Sequence, residues 1–217
     1  MRFELLCITV VLLTAPHPGS AAQLTAIVQD ADGRPLPNAV VLAFPEDARL
    51  PAVKPGVEVI DQIDKEFVPY VKAVRVGTLV QFPNKDNIRH HVYSFSPAKT
   101  FELPLYSGTP AAPVLFDKVG IVKIGCNIHD WMLGYIYVTD IPYFAKTTRE
   151  GRAELDQLPR SSYRVRVWHP RMEGSEDRTV KRVNLQDEST VTLEWKLKLN
   201  AEFRPRRTPI PGEPDYR

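Results

Sequence analysis

The chain has 217 residues, 43% of them apolar, enough for one or two buried cores at ordinary domain sizes. Its 28 Lys and Arg nearly balance 26 Asp and Glu, giving a formal net charge of +2, so neither a duplex-binding basic face nor an acidic solvating chain is indicated. The 20 Pro and 11 Gly leave little room for long helices, and two Cys exclude a disulfide-rich scaffold.

Taken in chain order, residues 1–22 read as a secretory signal. Arg2 supplies the positive start, Leu5 to Leu13 the apolar run, and Ser20-Ala21-Ala22 the small residues for cleavage after Ala22. No later run reaches the roughly 18 apolar residues a membrane span needs, so the mature chain is predicted to lie outside the cytoplasm without a transmembrane segment. Cys7 leaves with the signal. Cys126 then remains as a lone thiol in an oxidising compartment, where it must be buried, dimerised or held by a metal.

Period-2 apolar alternation and short β-branched runs predict strands at Leu24–Gln29, Ala39–Phe44, Lys72–Phe82, His91–Phe95, Gly120–Gly125, Tyr135–Val138, Tyr163–Trp168 and Ser189–Leu199. Asp32-Gly33 with Pro35 and Pro37 marks a hairpin-type connection between the first two. No segment sustains a helical apolar period over about ten residues without a Pro or Gly, so an all-β sandwich or barrel follows. Phe101–Phe116, with Pro104, Pro110 and Pro113, is predicted to be a long loop. Residues 200–217, rich in Pro and charge, are predicted to be disordered.

The chemistry concentrates in Gly125–Gly134 (GCNIHDWMLG), where Cys126, His129 and Met132 fall at steps of three between two predicted strands. So short a loop can curl a thiol, an imidazole and a thioether around one point. A further ligand is available upstream in Asn84–Val92, from His90 or His91. Two imidazoles and one thiolate form a trigonal set that a weak axial Met completes as a blue-copper site. Zinc would accept Cys and His, but Met is a poor zinc ligand and the Irving–Williams order favours copper. A lone Cys at a strand end, or a Met beside it, is ordinarily a small core residue or a gap-filler. It is the joint spacing, with a thiol that has no partner, that argues for a metal. His169 and Met172 read as a surface His beside Pro170 rather than as a second site. Without His17, the four remaining histidines cannot supply a trinuclear cluster or a further three-His site. The single thiol excludes a binuclear Cys₂ centre, and no G-x-S-x-G elbow occurs, so the chain does not read as an enzyme.

At these residues the chain resembles the cupredoxins, the plastocyanin and amicyanin family, over about residues 55–140. The resemblance rests on Phe67 and Pro69, on Gly77 before Val80–Phe82, on Asn84 and Asp86, and on Phe116, Gly120, Cys126, His129, Met132 and Gly134. The short C-x₂-H-x₂-M spacing is similar to that of amicyanin. The resemblance implies a cupredoxin Greek-key β-sandwich holding one type 1 copper on His90, Cys126, His129 and Met132. His90 is chosen over His91 because the family places an Asn directly after its first ligand, and His91 occupies that slot; alternation also puts His90 on the face of Val92. In the family that Asn links the two ligand loops and offers its N–H to the thiolate. Here His91 would offer the N–H, and Asn127 the side-chain link. Trp131, beside His129, would belong to an apolar patch where a redox partner docks.

The flanks resemble a different fold, the carboxypeptidase-regulatory, transthyretin-like β-sandwich. Leu24–Pro45, with Asp32-Gly33, Pro35-Leu36-Pro37 and Ala39-Val40, is similar to its first two strands. Thr148–Pro159 and Tyr163–His169 are similar to later ones, with a Gly turn, a Leu-Pro turn and Tyr-x-Val-x-Val. A hairpin of about 22 residues cannot bury a core alone. The expectation is therefore a smaller sandwich made of 23–47 and 145–199, with a cupredoxin domain, 48–144, inserted between. The whole chain resembles bacterial proteins labelled methylamine-utilisation proteins. What this implies is a monomeric periplasmic protein carrying single electrons between redox partners such as a dehydrogenase or a cytochrome. The alternative is a copper carrier, store or sensor.

Overall fold

The structure is a computed structural model that describes residues 21–47, 50–51, 54–110 and 112–201; the expected signal, but for its last two residues, and the tail from 202 onward lie outside the described residues. In chain order the strands are β1 (Ala22–Asp30), β2 (Val40–Pro45), β3 (Val57–Val59), β4 (Asp61–Ile63), β5 (Glu66–Val68), β6 (Val71–Arg75), β7 (Thr78–Gln81), β8 (His90–Ser96) and β9 (Lys99–Tyr106). There follow β10 (Val114–Phe116), β11 (Gly120–Gly125), β12 (Leu133–Thr139), β13 (Phe144–Lys146), β14 (Arg152–Leu158), β15 (Ser162–Trp168), β16 (Lys181–Asn184) and β17 (Thr190–Leu197). A single 3₁₀ turn, Glu176–Thr179, interrupts the strands, and the protein is all-β. No helix among the described residues is long and apolar enough to cross a membrane.

Two cores form, each between a pair of sheets. Sheets β14-β1-β17 and β13-β2-β15-β16 enclose Leu24, Ala26, Val28, Val41, Leu155, Leu158, Tyr163, Val165, Val167 and Leu185. Strand β1 pairs antiparallel with β14 and parallel with β17, while β2 pairs antiparallel with β13 and β15, so the first two strands are completed by residues beyond 143. Sheets β10-β7-β3 and β6-β12-β11-β8-β9, with the β4–β5 hairpin, surround Ile60, Phe67, Val80, Phe82, Val92, Phe116, Val122, Ile124 and Ile136. Cys126 and Met132 lie in that same cluster.

A third cluster joins the two units and explains the continuous apolar run VVLAF in β2. Successive side chains of a strand point to opposite faces. Val41 and Ala43 therefore enter the first core, while Val40 and Leu42 meet Val71, Tyr137 and Trp168 on the other face. Burial on both faces removes the alternation that a half-exposed strand would show. Polar side chains line the rim of this interface. Tyr137 donates to Glu176 at 2.9 Å, and Arg166 donates to the Tyr137 hydroxyl at 3.2 Å while its guanidinium lies 4.6 Å above the Phe44 ring.

Three expectations need correction. Lys72–Phe82 is not one strand: it divides into β6 and β7 at Gly77, whose φ of 88° suits glycine and whose N–H donates to the Phe116 carbonyl at 2.7 Å. Phe101–Phe116 is not a long loop but contains most of β9 and all of β10. Strand β9 lies at a sheet edge, the one strand position where a proline such as Pro104 need not break a hydrogen-bond ladder. His169 is not a surface residue; it is 5% exposed, its Nδ1 accepting the Arg171 amide at 3.2 Å.

Burial, reinforced by the Arg171 charge and opposed by a hydrogen bond to the Pro37 carbonyl, brings the His169 pKa from 6.5 down to about 4. The folded chain thus keeps this ring neutral where the unfolded chain would protonate it. Its contribution to stability is complete above pH 6.5 and is lost as the pH falls toward 4, a loss of about 3 kcal/mol. Denaturant titrations across this window are expected to show that loss, and the slope is expected to flatten in His169→Gln.

Gly151 gives a second test. Its φ is 71°, its carbonyl accepts the Val28 amide at 2.8 Å, and a Cβ there would press on the Val28 carbonyl and lie 2.9 Å from the Leu36 nitrogen. Gly151→Ala is expected to destabilise the chain by at least about 2 kcal/mol, read from urea unfolding.

Candidate metal centre

Strands β11 and β12 pair from Gly120↔Val138 to Gly125↔Leu133, which leaves Cys126–Met132 as the loop that closes them. The loop is tied by its own backbone: the Cys126 amide donates to the Met132 carbonyl at 3.3 Å, and the Met132 amide to the His129 carbonyl at 2.9 Å. This turns Cys126 and Met132 inward, at 4% and 2% exposure, and leaves His129 half-buried at the rim. The Cys126 Sγ lies 3.9 Å from His129 Nδ1.

His90 reaches the same point from the start of β8 and is completely buried. One ligand atom each from His90, Cys126 and His129 lie within 4.8 Å of one another, and the two imidazole rings stand 4.9 Å apart, nearly edge to face. His90 Nε2 contacts Asp86 Oδ2 at 2.6 Å, whereas His90 Nδ1 is buried without a hydrogen-bond partner. A buried polar nitrogen without a partner is costly. With the proton held on Nε2 by the carboxylate, Nδ1 presents a lone pair, the state in which imidazole binds a metal.

Asp86 is itself fixed by the chain around it. Its carboxylate accepts the amides of Asp64 at 2.7 Å and Lys65 at 2.8 Å. Burial alone would raise its pKa, but the His90 hydrogen bond and these two amides outweigh it and hold the carboxyl below its usual range. Asn84 secures the rest of the loop. Its Nδ2 donates to the carbonyls of Ile88 at 2.8 Å and Tyr106 at 2.9 Å, and its Oδ1 accepts the Asp86 amide at 3.0 Å. Beneath it, the Tyr106 hydroxyl donates to the Phe82 carbonyl at 2.5 Å and accepts from Gln62, which is fully buried.

Other expected site residues stand apart from the cluster. His91 lies on the opposite face of β8, where its Nε2 pairs with Glu102 at 2.8 Å. Asn127 is exposed on the loop. The two segments meet directly at the His90–His129 ring contact. Trp131 is half-buried with its ring 5.2 Å from that of His129, and Ile128 beside it is 46% exposed. The positioning roles of Asp86, Gln62 and Tyr106 were not foreseen. An acidic residue four positions before a candidate His ligand was the available signal for Asp86; Gln62 and Tyr106 are distant in sequence and carried none.

The donors suit a soft or borderline metal. A thiolate and two imidazoles in an apolar core, with a thioether buried beside them, match copper, whereas hard cations such as Mg²⁺ and Ca²⁺ take oxygen ligands.

No protein-family model matches the chain, and no curated protein matches it. Among solved structures it is similar to a purple cupredoxin from Nitrosopumilus maritimus, at 22% identity over 38% of this chain and 99% of that one, with a TM-score of 0.34. It is similar to a Cu(I) amicyanin variant at 20% identity over 45% of this chain and 98% of that one, with a TM-score of 0.36. A third similarity, to a copper-containing nitrite reductase from Thermus scotoductus, has 25% identity over 44% of this chain and 25% of that one, with a TM-score of 0.37.

Because Asp86 fixes the His90 ring through Nε2, Asp86→Ala is expected to weaken copper binding by about 10- to 100-fold, measured by competition with a chelator of known affinity. His91→Ala is expected to leave that affinity unchanged.

Proposed function

We propose that the chain is an exported type 1 copper protein that carries single electrons between partner proteins, and that it is not itself an enzyme. On this reading residues 48–144 form a cupredoxin unit inserted into a smaller transthyretin-like sandwich made of 23–47 and 145–199, and His90, Cys126, His129 and Met132 hold the copper. The convergence of His90, Cys126 and His129 at one buried point carries the proposal. Copper bound there supplies a one-electron couple between Cu(II) and Cu(I).

Each residue then has a physical task. The Cys126 thiolate and the two imidazoles would suit both oxidation states, and the burial of Cys126, Met132 and His90 would resist rearrangement when the charge changes. Asp86 fixes the His90 ring. His129 forms the exposed edge through which an electron leaves, with Trp131 and Ile128 as the apolar surface beside it. Transient redox encounters use small interfaces, so a patch of this kind suffices. The remaining described histidines are engaged elsewhere, His91 with Glu102 and His169 with the Arg171 amide, which favours a carrier over an enzyme with a second copper centre.

Addition of Cu(II) to the exported chain is expected to produce an intense visible thiolate-to-copper band at one equivalent, with reversible voltammetry, and Cys126→Ser is expected to abolish both. Prompt loss of copper to a chelator without a reversible couple would assign the site to metal handling instead.

A further inference from the structure

A second cavity, of about 440 Å³, opens between the two units and shares no residue with the metal centre. Its walls come from β6 and β13, each the edge strand of its own sheet, together with β3, the start of β7 and the segment before β3. Four cationic side chains line it: Lys54, Lys72, Arg75 and Lys146. One carboxylate, Glu58, faces them, and it is already paired with Lys72 at 2.5 Å.

Four cations thus share a single carboxylate on this surface. Lysine on an edge strand is an ordinary device against sheet-to-sheet aggregation, and an exposed one needs no partner. Arg75 is different, because its Nε and Nη1 are buried and make no hydrogen bond. Guanidinium donors removed from water without acceptors are expensive, and a planar fork of N–H groups matches the oxygens of a carboxylate or phosphate. Lys146, half-buried on β13, has no ion pair among the described residues. Burial, and then the Lys72 charge, lower its pKa. The volume is of the size that accepts a small molecule, and Phe144 adds an apolar wall.

We propose that this cavity binds a small organic anion bearing a carboxylate or phosphate group, with Arg75 and Lys146 as its charge-pairing residues. Such a ligand would bridge the edge strands of the two sandwiches and clamp them together. The site is independent of copper.

The test uses the full chain without added metal, with inorganic phosphate and benzoate as probes at ionic strength held constant by sodium chloride. At least one probe is expected to raise the melting temperature saturably and to bind measurably by calorimetry. Arg75→Gln and Lys146→Gln are each expected to weaken that binding at least tenfold, while their ligand-free melting temperatures equal or exceed that of the parent. The probe that binds more tightly identifies the recognised group. If neither probe exceeds the effect of chloride, or if both variants respond as the parent does, the proposal is wrong. Should Arg75→Gln fail to fold, the Lys146→Gln comparison decides alone.

Discussion

The contact between Asp86 and His90 determines which nitrogen of a fully buried imidazole keeps the proton, and so leaves Nδ1, buried without a partner, with its lone pair free. A neutral ring in an apolar core can adopt either tautomer; a fixed carboxylate on one side removes the choice. The carboxylate is in turn immobilised by two backbone amides and by Asn84, whose own amide group spans to the carbonyls of Ile88 and Tyr106. His90 is thus held by a chain of hydrogen bonds, and Cys126, His129 and Met132 by the tight loop between β11 and β12.

The scaffold explains why this arrangement can be rigid. Strand β12 carries Ile136 and Val138 into the core that contains Cys126, and presents Tyr137 to the third cluster with Val40, Leu42 and Trp168. The strand that leaves the ligand loop is therefore clamped on both faces. Tyr137 adds hydrogen bonds to Glu176 and Arg166 at the margin of that interface. The flanking strands thus pack against the strand that follows the Cys126–Met132 loop.

Much of this was legible in the sequence, and the failures have identifiable causes. The strands with clear alternation, and the loop with Cys126, His129 and Met132, could be read directly because spacing and residue type carry their meaning locally. The preference for His90 over His91 rested on the family resemblance, in which His91 fills the slot after the first ligand, with alternation along the strand as added support; the structure places only His90 in the cluster and pairs His91 with Glu102. Proline misled the reading of Phe101–Phe116, because its cost depends on whether a strand lies at an edge, which is a property of the sheet. His169 looked exposed because it precedes a proline, yet the closing segment around Asn200 returns to bond Arg171 and helps cover it. Tyr106 and Gln62 had no local signature at all: their role arises from contacts across 44 positions of chain.

The account depends most on one sulfur and two imidazole nitrogens binding the same ion. X-ray absorption at the copper edge of the copper-loaded protein measures this directly. The expected result is a single short copper–sulfur bond with two nitrogen neighbours, and the loss of that short bond when Cys126 is replaced by Ser. A spectrum showing only nitrogen and oxygen neighbours in the unaltered chain would contradict it.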